Sequence, residues 1–359
     1  ANTLNGLAEL HLTMRDYAQA EPLLQRVLKI REKALGPDHP STAACLKNLA
    51  VLYEGMGDHA KAESLLQRAL RIFEKTLGPE HSNTATIRHD LALVYHHMDE
   101  DAKAEPLLQR ALKSHVEVLG PENPHTATTF GDLAAVYHGM GEYAQAEPLF
   151  QRALRILEKT FGPEHRTNAV VLSNLALLYD ATGDYVKAEP LHQRALKILE
   201  KALGPEHPDT AQSLNNLAAH HVHMGDYAKA EQLIQSALQI NEKTLGPEHP
   251  KTANSLISLA NLYQGLGDHA KGEPLLQRAL RISEKALGPE HPKTAGALNS
   301  LANLYDHMLI LNSSATKELL DNPVVLDVRD VATSPAVFYR TVSDHLPIRA
   351  RFRSGPDDD

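Results

Sequence analysis

The amino-acid sequence predicts an all-α fold, an α-solenoid of antiparallel helix pairs, followed by a short non-repeat α/β fragment at the C-terminal end. Three observations lead there. The stretch Leu35-Gly36-Pro37-Asp38-His39-Pro40 recurs, with its Gly-Pro step at Gly36, Gly78, Gly120, Gly162, Gly204, Gly246 and Gly288, each 42 residues from the last. A fixed period in this range marks one supersecondary unit per repeat, stacked on its neighbours. Within each unit the apolar residues recur at helical spacing. Apolar content of 42% with only 5% aromatics and no Trp implies an interior of Ala, Leu and Ile, as closely packed helix pairs require.

Residues 1–15 read as the end of a first helix and Asp16 to Leu35 as its partner. The second repeat shows the whole unit. Leu46, Leu49, Ala50 and Tyr53 follow the i, i+3, i+4, i+7 spacing of one helix face. Gly57 suits the left-handed C′ position and Asp58 the following N-cap, so the chain turns back within about two residues. Ala62, Leu66, Ala69 and Phe73 mark a second helix, and Gly78-Pro79 is its stop. So short a connection makes the two helices antiparallel neighbours. Pro22, Pro106, Pro148, Pro190 and Pro274 share one phase, deeper than a first helical turn, so the second helix either starts late or bends. Ala62 recurs as Ala104, Ala146, Ala188 and Ala230, and Ala69 as Ala111, Ala153, Ala195, Ala237 and Ala279. These are columns where a larger side chain would hold neighbouring helices apart.

Asn174-Leu175-Ala176-Leu177-Leu178-Tyr179, Gly183-Asp184-Tyr185-Val186-Lys187-Ala188-Glu189-Pro190 and Gln193-Arg194-Ala195-Leu196 carry a family resemblance. The pattern resembles the tetratricopeptide repeat in its 42-residue, kinesin-light-chain-like form, over residues 1–308. The resemblance implies a right-handed superhelix of seven helix pairs, the first truncated, plus one extra helix. It also implies a non-catalytic protein-interaction scaffold, with the first helix of every repeat lining a concave groove that grips an extended peptide or partner protein. Carried over by position, the groove residues are Asn48, Asp90, Asp132, Asn174, Asn216, Ser258 and Ser300. A second row follows at Glu54, His96, His138, Asp180, Val222, Gln264 and Asp306, with His97 and His223 beside it. Lys47 and Asn261 complete the set. Asn suits an extended peptide because its amide offers both a donor and an acceptor. Lys47 is the only positive residue among them, so an acidic C-terminus is a poor fit. The negative surplus toward the second to fourth repeats favours a neutral or basic segment.

The formal charge of −9 argues against nucleic acid as a partner, since phosphate-backbone binding needs clustered Lys and Arg. No apolar run approaches the roughly 20 residues that span a bilayer. The lone Cys45 forms no internal disulfide and reads as packing. Ala1 opens inside a repeat, so a preceding segment, with any targeting signal, is expected to be missing; the expected compartment is the cytoplasm. Of 21 histidines, His39, His81, His165, His207, His249 and His291 share one loop phase. Equivalent positions in stacked repeats lie at least roughly 8–10 Å apart, too far for one zinc ion with ligand bonds of about 2.1 Å. His96-His97 and the group His220, His221 and His223 are closer in sequence. Glu189 and His192 have the spacing of a carboxylate-bridged di-iron helix but lack the second pair such a site needs. No cofactor and no metal are therefore expected.

After Met308 the repeat should continue Gly-Asp-Tyr, and the chain instead reads Leu309-Ile310-Leu311. Met308 to Leu311, Val324 to Val328 and Ile348 to Phe352 read as strands, Thr316 to Leu320 as a short helix, and 355–359 as a disordered tail. Ser343-Asp344-His345-Leu346-Pro347 resembles the closing motif of the endonuclease/exonuclease/phosphatase family, metal-dependent phosphodiesterases. The resemblance implies that Asp306, Asp344 and His345 are vestiges of a catalytic set within a partial domain over 309–354. The family's earlier metal-binding and phosphate-binding groups have no counterpart, so no catalysis is expected of it.

Overall fold

A computed structural model describes residues 2–14, 16–289 and 291–315, which form fifteen α-helices with no strand among the described residues. The chain divides into two compact units, Ala1–Met224 and Gly225–Asp359. The first unit contains α1 (Asn2–Thr13), α2 (Tyr17–Leu35), α3 (Pro40–Gly55), α4 (His59–Thr76), α5 (Ser82–His97) and α6 (Asp101–Leu119). It continues with α7 (Pro124–Gly139), α8 (Tyr143–Phe161), α9 (Arg166–Ala181), α10 (Tyr185–Leu203) and α11 (Pro208–His223). The second unit contains α12 (Tyr227–Thr244), α13 (Pro250–Gly265), α14 (His269–Leu287) and α15 (Pro292–Ala315).

Two turns, repeated along the chain, set this alternation. The first ends α3, α7, α9 and α13, and α5 with Asp99 in place of glycine. Gly57 takes φ +81°, its N–H donates to Glu54 O at 2.9 Å, and the Asp58 N–H donates to Tyr53 O at 2.8 Å. These two bonds close a Schellman motif. Asp58 Oδ1 then accepts from Lys61 N at 3.1 Å and caps α4, so one Gly-Asp step both stops a helix and starts the next. The second turn ends the even-numbered helices. Gly120 sits at φ +91°, ψ 156°, with Pro121 after it. Only glycine takes that backbone region readily, and a following proline favours the extended ψ.

The loop histidines have a structural task. His39 Nδ1 accepts from Ser41 N at 3.0 Å, His207 Nδ1 from Asp209 N at 3.1 Å, and His81, His165, His249 and His291 repeat the arrangement. Asn123 does the same through Oδ1 in the fourth repeat. Each caps the N-terminus of an odd-numbered helix. Inside that corner Thr42 Oγ1 donates to Gly36 O at 2.9 Å, and Thr84, Thr126, Thr210, Thr252 and Thr294 do likewise at their own glycines.

Packing follows the alanine columns. Ala62, Ala104, Ala146, Ala188, Ala69, Ala111, Ala153 and Ala195 have no exposed surface, so helix backbones approach closely at these positions. In the first unit one apolar core runs from Ala8 to Ala188. Side-chain struts tie an odd-numbered helix to the even-numbered helix before it. Tyr53 Oη donates to Glu21 at 2.7 Å, Tyr95 to Glu63 at 2.9 Å and Tyr179 to Glu147 at 2.7 Å, and Tyr263 and Tyr305 repeat this in the second unit. Cys45 is fully buried and its thiol pKa is raised by that burial, in keeping with a packing role.

Two expectations are corrected or narrowed. α2 begins directly after its Asp16 cap, so Pro22 lies inside the helix rather than before a late start, and the Ala18 carbonyl loses its i+4 donor. Met308 to Leu311 are helical, since α15 runs to Ala315. Four apolar residues are too few for periodicity to separate a strand from the end of a helix. The other elements expected beyond Ala315, including the partial domain and the tail, lie outside the described residues.

Candidate functional site

In the first unit the first helices of the repeats stand side by side, with α5 against α7, α7 against α9 and α9 against α11. Side chains cross from one to the next. Asn48 on α3 donates from Nδ2 to Asn5 Oδ1 at 3.3 Å and Glu9 Oε1 at 3.2 Å on α1. Lys47 Nζ lies 3.4 Å from Asp90 Oδ2 on α5, and His89 Nε2 lies 2.7 Å from Asp132 Oδ2 on α7. Burial pulls the His89 pKa down, but Asp132 and Asp90 outweigh it and raise it to about 9. His89 is therefore charged at neutral pH, and the row Lys47, Asp90, His89, Asp132 alternates in sign with no net charge. Within this row the expected negative surplus is offset by His89. The expectation left out His89, whose position one residue before Asp90 is the signal that would have found it.

Further along the wall the polar groups are less committed. Asn174 on α9 is half-buried and has no side-chain hydrogen bond among the described residues. Val170, one helical turn before it, is 63% exposed. Asn216 on α11 is half-buried and accepts at Oδ1 from Gln212 Nε2 at 3.0 Å. In the second unit Ser258 Oγ donates to Asn254 O, and Asn261 is exposed on α13.

The second predicted row lies six residues on, which on a helix of 3.6 per turn carries a side chain about 240° round; two of its members, His96 and His138, turn toward their own hairpins. His96 Nδ1 lies 2.6 Å from Asp101 Oδ1 at the start of α6, and the His138 ring lies 5.6 Å from that of Tyr143 at the start of α8. Burial holds the His138 pKa below its usual value. His97 Nδ1 pairs with Glu54 at 3.1 Å. Asp180 departs furthest from expectation, being only 6% exposed. Its Oδ2 lies 2.8 Å from His192 Nε2 on α10, and its Oδ1 lies 2.7 Å from His220 Nδ1 on α11. Burial would raise the Asp180 pKa, but the hydrogen bonds from both imidazoles outweigh it and hold the carboxyl below its ordinary range. Asp180 is therefore an interior residue and not part of the wall. Asp180, His192 and His220 bring ligand atoms within 4.8 Å of one another and could hold a metal ion, a convergence that sequence reasoning missed. Asp306 is half-buried on α15, whereas Asp344 and His345 lie outside the described residues.

Paired helices, stacked at a 42-residue period, define the class as an α-helical repeat protein. The model of the tetratricopeptide repeat family matches residues 1–75, 50–115, 83–159, 125–201, 167–231, 209–271 and 257–308, and the chain belongs to that family. Among solved structures, BtubC (BKLC) from P. vanneervenii is 27% identical, with 65% of this chain and 92% of that one covered and a TM-score of 0.51. The TPR-like repeats assigned to a kinesin light chain of Podosopora anserina are 28% identical, covering 58% and 99% at a TM-score of 0.46. The apo form of RapI shares the fold at 16% identity, covering 79% and 97% with a TM-score of 0.62. None of the curated proteins is a match. Among the described residues no helix is long and apolar enough to cross a membrane.

Proposed function

We propose that the chain is a non-catalytic, cytoplasmic protein-interaction scaffold that holds an extended, neutral peptide segment against the first-helix wall of its first unit. The observation that carries this reading is Asn174. Its half-buried amide has no partner among the described residues, and it lies between the neutralised Asp132 on α7 and Asn216 on α11. An amide in that position pairs with the N–H and C=O of a peptide unit, and exposed Val170 offers apolar contact beside it. Charge balance along Lys47, Asp90, His89 and Asp132 removes the reason for a basic ligand, and the −9 net charge disfavours nucleic acid.

A peptide-array screen of the full chain, followed by affinity measurement, tests the reading. Replacing both amides, Asn174→Ala with Asn216→Ala, is expected to weaken binding by roughly 10-fold to 100-fold, about one net hydrogen bond each. Binding that survives the double change but fails when Lys113 and Lys159 on the second helices are altered would move the site to the other face. A second reading rests on Ser343-Asp344-His345-Leu346-Pro347: a metal-dependent phosphodiesterase fragment fused to the scaffold, inactive as it stands. Mg²⁺-dependent phosphodiester hydrolysis lost in His345→Ala would overturn both readings by showing that the fragment is active.

A further inference from the structure

Two buried positions that are apolar in every other repeat carry histidine in one place only. The first holds Leu24, Leu66, Leu108, Phe150, Ile234 and Leu276, each no more than 2% exposed, and at this phase the fifth member is His192. The second holds Leu52, Val94, Val136, Leu178, Leu262 and Leu304, all buried, and here the exception is His220. The two exceptions are neighbours in space. Both ring systems converge on Asp180, their centroids 5.6 Å apart, and the three residues are 0%, 1% and 6% exposed.

Hydrogen bonding to Asp180 uses only the facing nitrogen of each ring. His192 Nδ1 and His220 Nε2 are buried without a hydrogen-bond partner. A partly satisfied buried polar network is less favourable than the apolar packing it replaces, and the other repeats show that this fold accepts leucine at both positions. Three polar side chains in one interior, with two nitrogens and a carboxylate facing inward, instead have the composition of a transition-metal ligand set.

We propose that Asp180, His192 and His220 form a buried Zn²⁺ site that staples α9, α10 and α11 together. Imidazole nitrogen and carboxylate oxygen are ordinary zinc ligands at about 2.0–2.2 Å, and this mixture suits zinc better than magnesium or calcium, which prefer all-oxygen shells. A tetrahedral ion with such bonds holds its ligand atoms about 3.4 Å apart. The two rings now meet different oxygens of Asp180, at 2.7 and 2.8 Å; only one oxygen takes a corner of the tetrahedron, and its N···O distance opens by roughly 0.6 Å on loading. The ligand atoms are the nitrogens that face Asp180, His192 Nε2 and His220 Nδ1, and any proton either shares with the carboxylate passes on loading to its other ring nitrogen or to solvent. One water fills the fourth position. Tyr185, half-buried, packs edge-on against His220 at 6.1 Å between ring centroids.

The test uses the full chain without an affinity tag, stripped by EDTA and dialysed, then titrated with Zn²⁺ against a chromophoric chelator. The control is the triple variant His192→Leu, His220→Leu, Asp180→Gln, which installs residues that other repeats already carry at these phases. The native chain is expected to bind one more Zn²⁺ than the triple variant, at least about 100-fold more tightly than any site the variant retains. Its thermal midpoint should rise with Zn²⁺ while the variant's stays put. Co²⁺ loading should give the visible absorption of a tetrahedral N/O site in the native chain alone. Equal Zn²⁺ stoichiometry and equal thermal response in the two chains would overturn the proposal, surface histidines then accounting for all binding. Should the triple variant fail to fold, ¹⁵N shifts of the His192 and His220 imidazoles on Zn²⁺ addition decide the matter, and unmoved signals would overturn it.

Discussion

His89 on α5 places its Nε2 2.7 Å from Asp132 Oδ2 on α7, and its ring centroid lies 6.4 Å from that of His115 on α6. These two histidines have opposite protonation preferences. Asp132 and Asp90 overcome burial to raise the His89 pKa to about 9, whereas burial, reinforced by His89 and His125, lowers that of His115 to about 4.

The pH dependence of stability follows from both. The unfolded value is about 6.5, so the His89 contribution is complete below that pH and is lost as pH rises toward 9. His115 acts in the other direction, its contribution being complete above about 6.5 and lost as pH falls toward 4. Unfolding free energies from urea titration are expected to peak near neutrality and fall on both sides, by about 1–3 kcal/mol on the alkaline side. Asp132→Asn should flatten the alkaline limb and bring the His89 NMR titration back toward neutrality. An unchanged limb would show that the pair does not govern it.

Gly120 and Gly131 should respond in opposite ways to alanine. At Gly120, φ is +91° and ψ 156°, and Gly120→Ala is expected to destabilise by about 1–3 kcal/mol. A Cβ at Gly131, inside α7, would meet Val171 and Ala153 at 3.7 and 3.8 Å, ordinary contact distances. Gly131→Ala should stabilise by about 0.5–1 kcal/mol, read as a rise in the urea midpoint.

The N-caps of the second helices are not equivalent. Asp58 accepts from Lys61 N, whereas Glu142 makes no side-chain cap bond to α8. Asp58→Ala should cost about 1 kcal/mol, and Glu142→Ala should leave the denaturation midpoint within experimental error.

Leu66 is 1% exposed and belongs to the core shared by successive hairpins. Leu66→Ala is expected to cost about 2–5 kcal/mol. Hydrogen exchange should show the loss as faster opening of α3 to α6 first, because stability in a stacked array is local to neighbouring units.

Much of this architecture is legible in the chain because it is written many times. The Gly-Pro corner, the Gly-Asp turn and the alanine columns each encode local geometry, and the structure places Gly57, Asp58, Ala62 and Ala69 as their residue types demand. The wall was harder to read. Position in the repeat alone puts Glu54, His96, His138 and Asp180 in one row, but their partners differ: Glu54 reaches His97 on α5, His96 meets Asp101, and Asp180 is buried between two histidines. The charge balance at His89 depends on which neighbour lies opposite, which only cross-repeat contacts reveal. Asp180, His192 and His220 join residues 12 and 40 apart in sequence through positions that are apolar elsewhere. The signal was available in the repeat itself: two histidines at phases otherwise filled by Leu, Val, Ile or Phe.

The struts from Tyr53 to Glu21, Tyr95 to Glu63 and Tyr179 to Glu147 each reach only the preceding hairpin. A gene that loses or gains one 42-codon block by unequal crossing-over thus brings together surfaces already shaped to meet, and array length can drift without a new fold having to evolve. The block holding Asp180 and His192 is the exception, since its excision would strand His220 in a slot made for leucine.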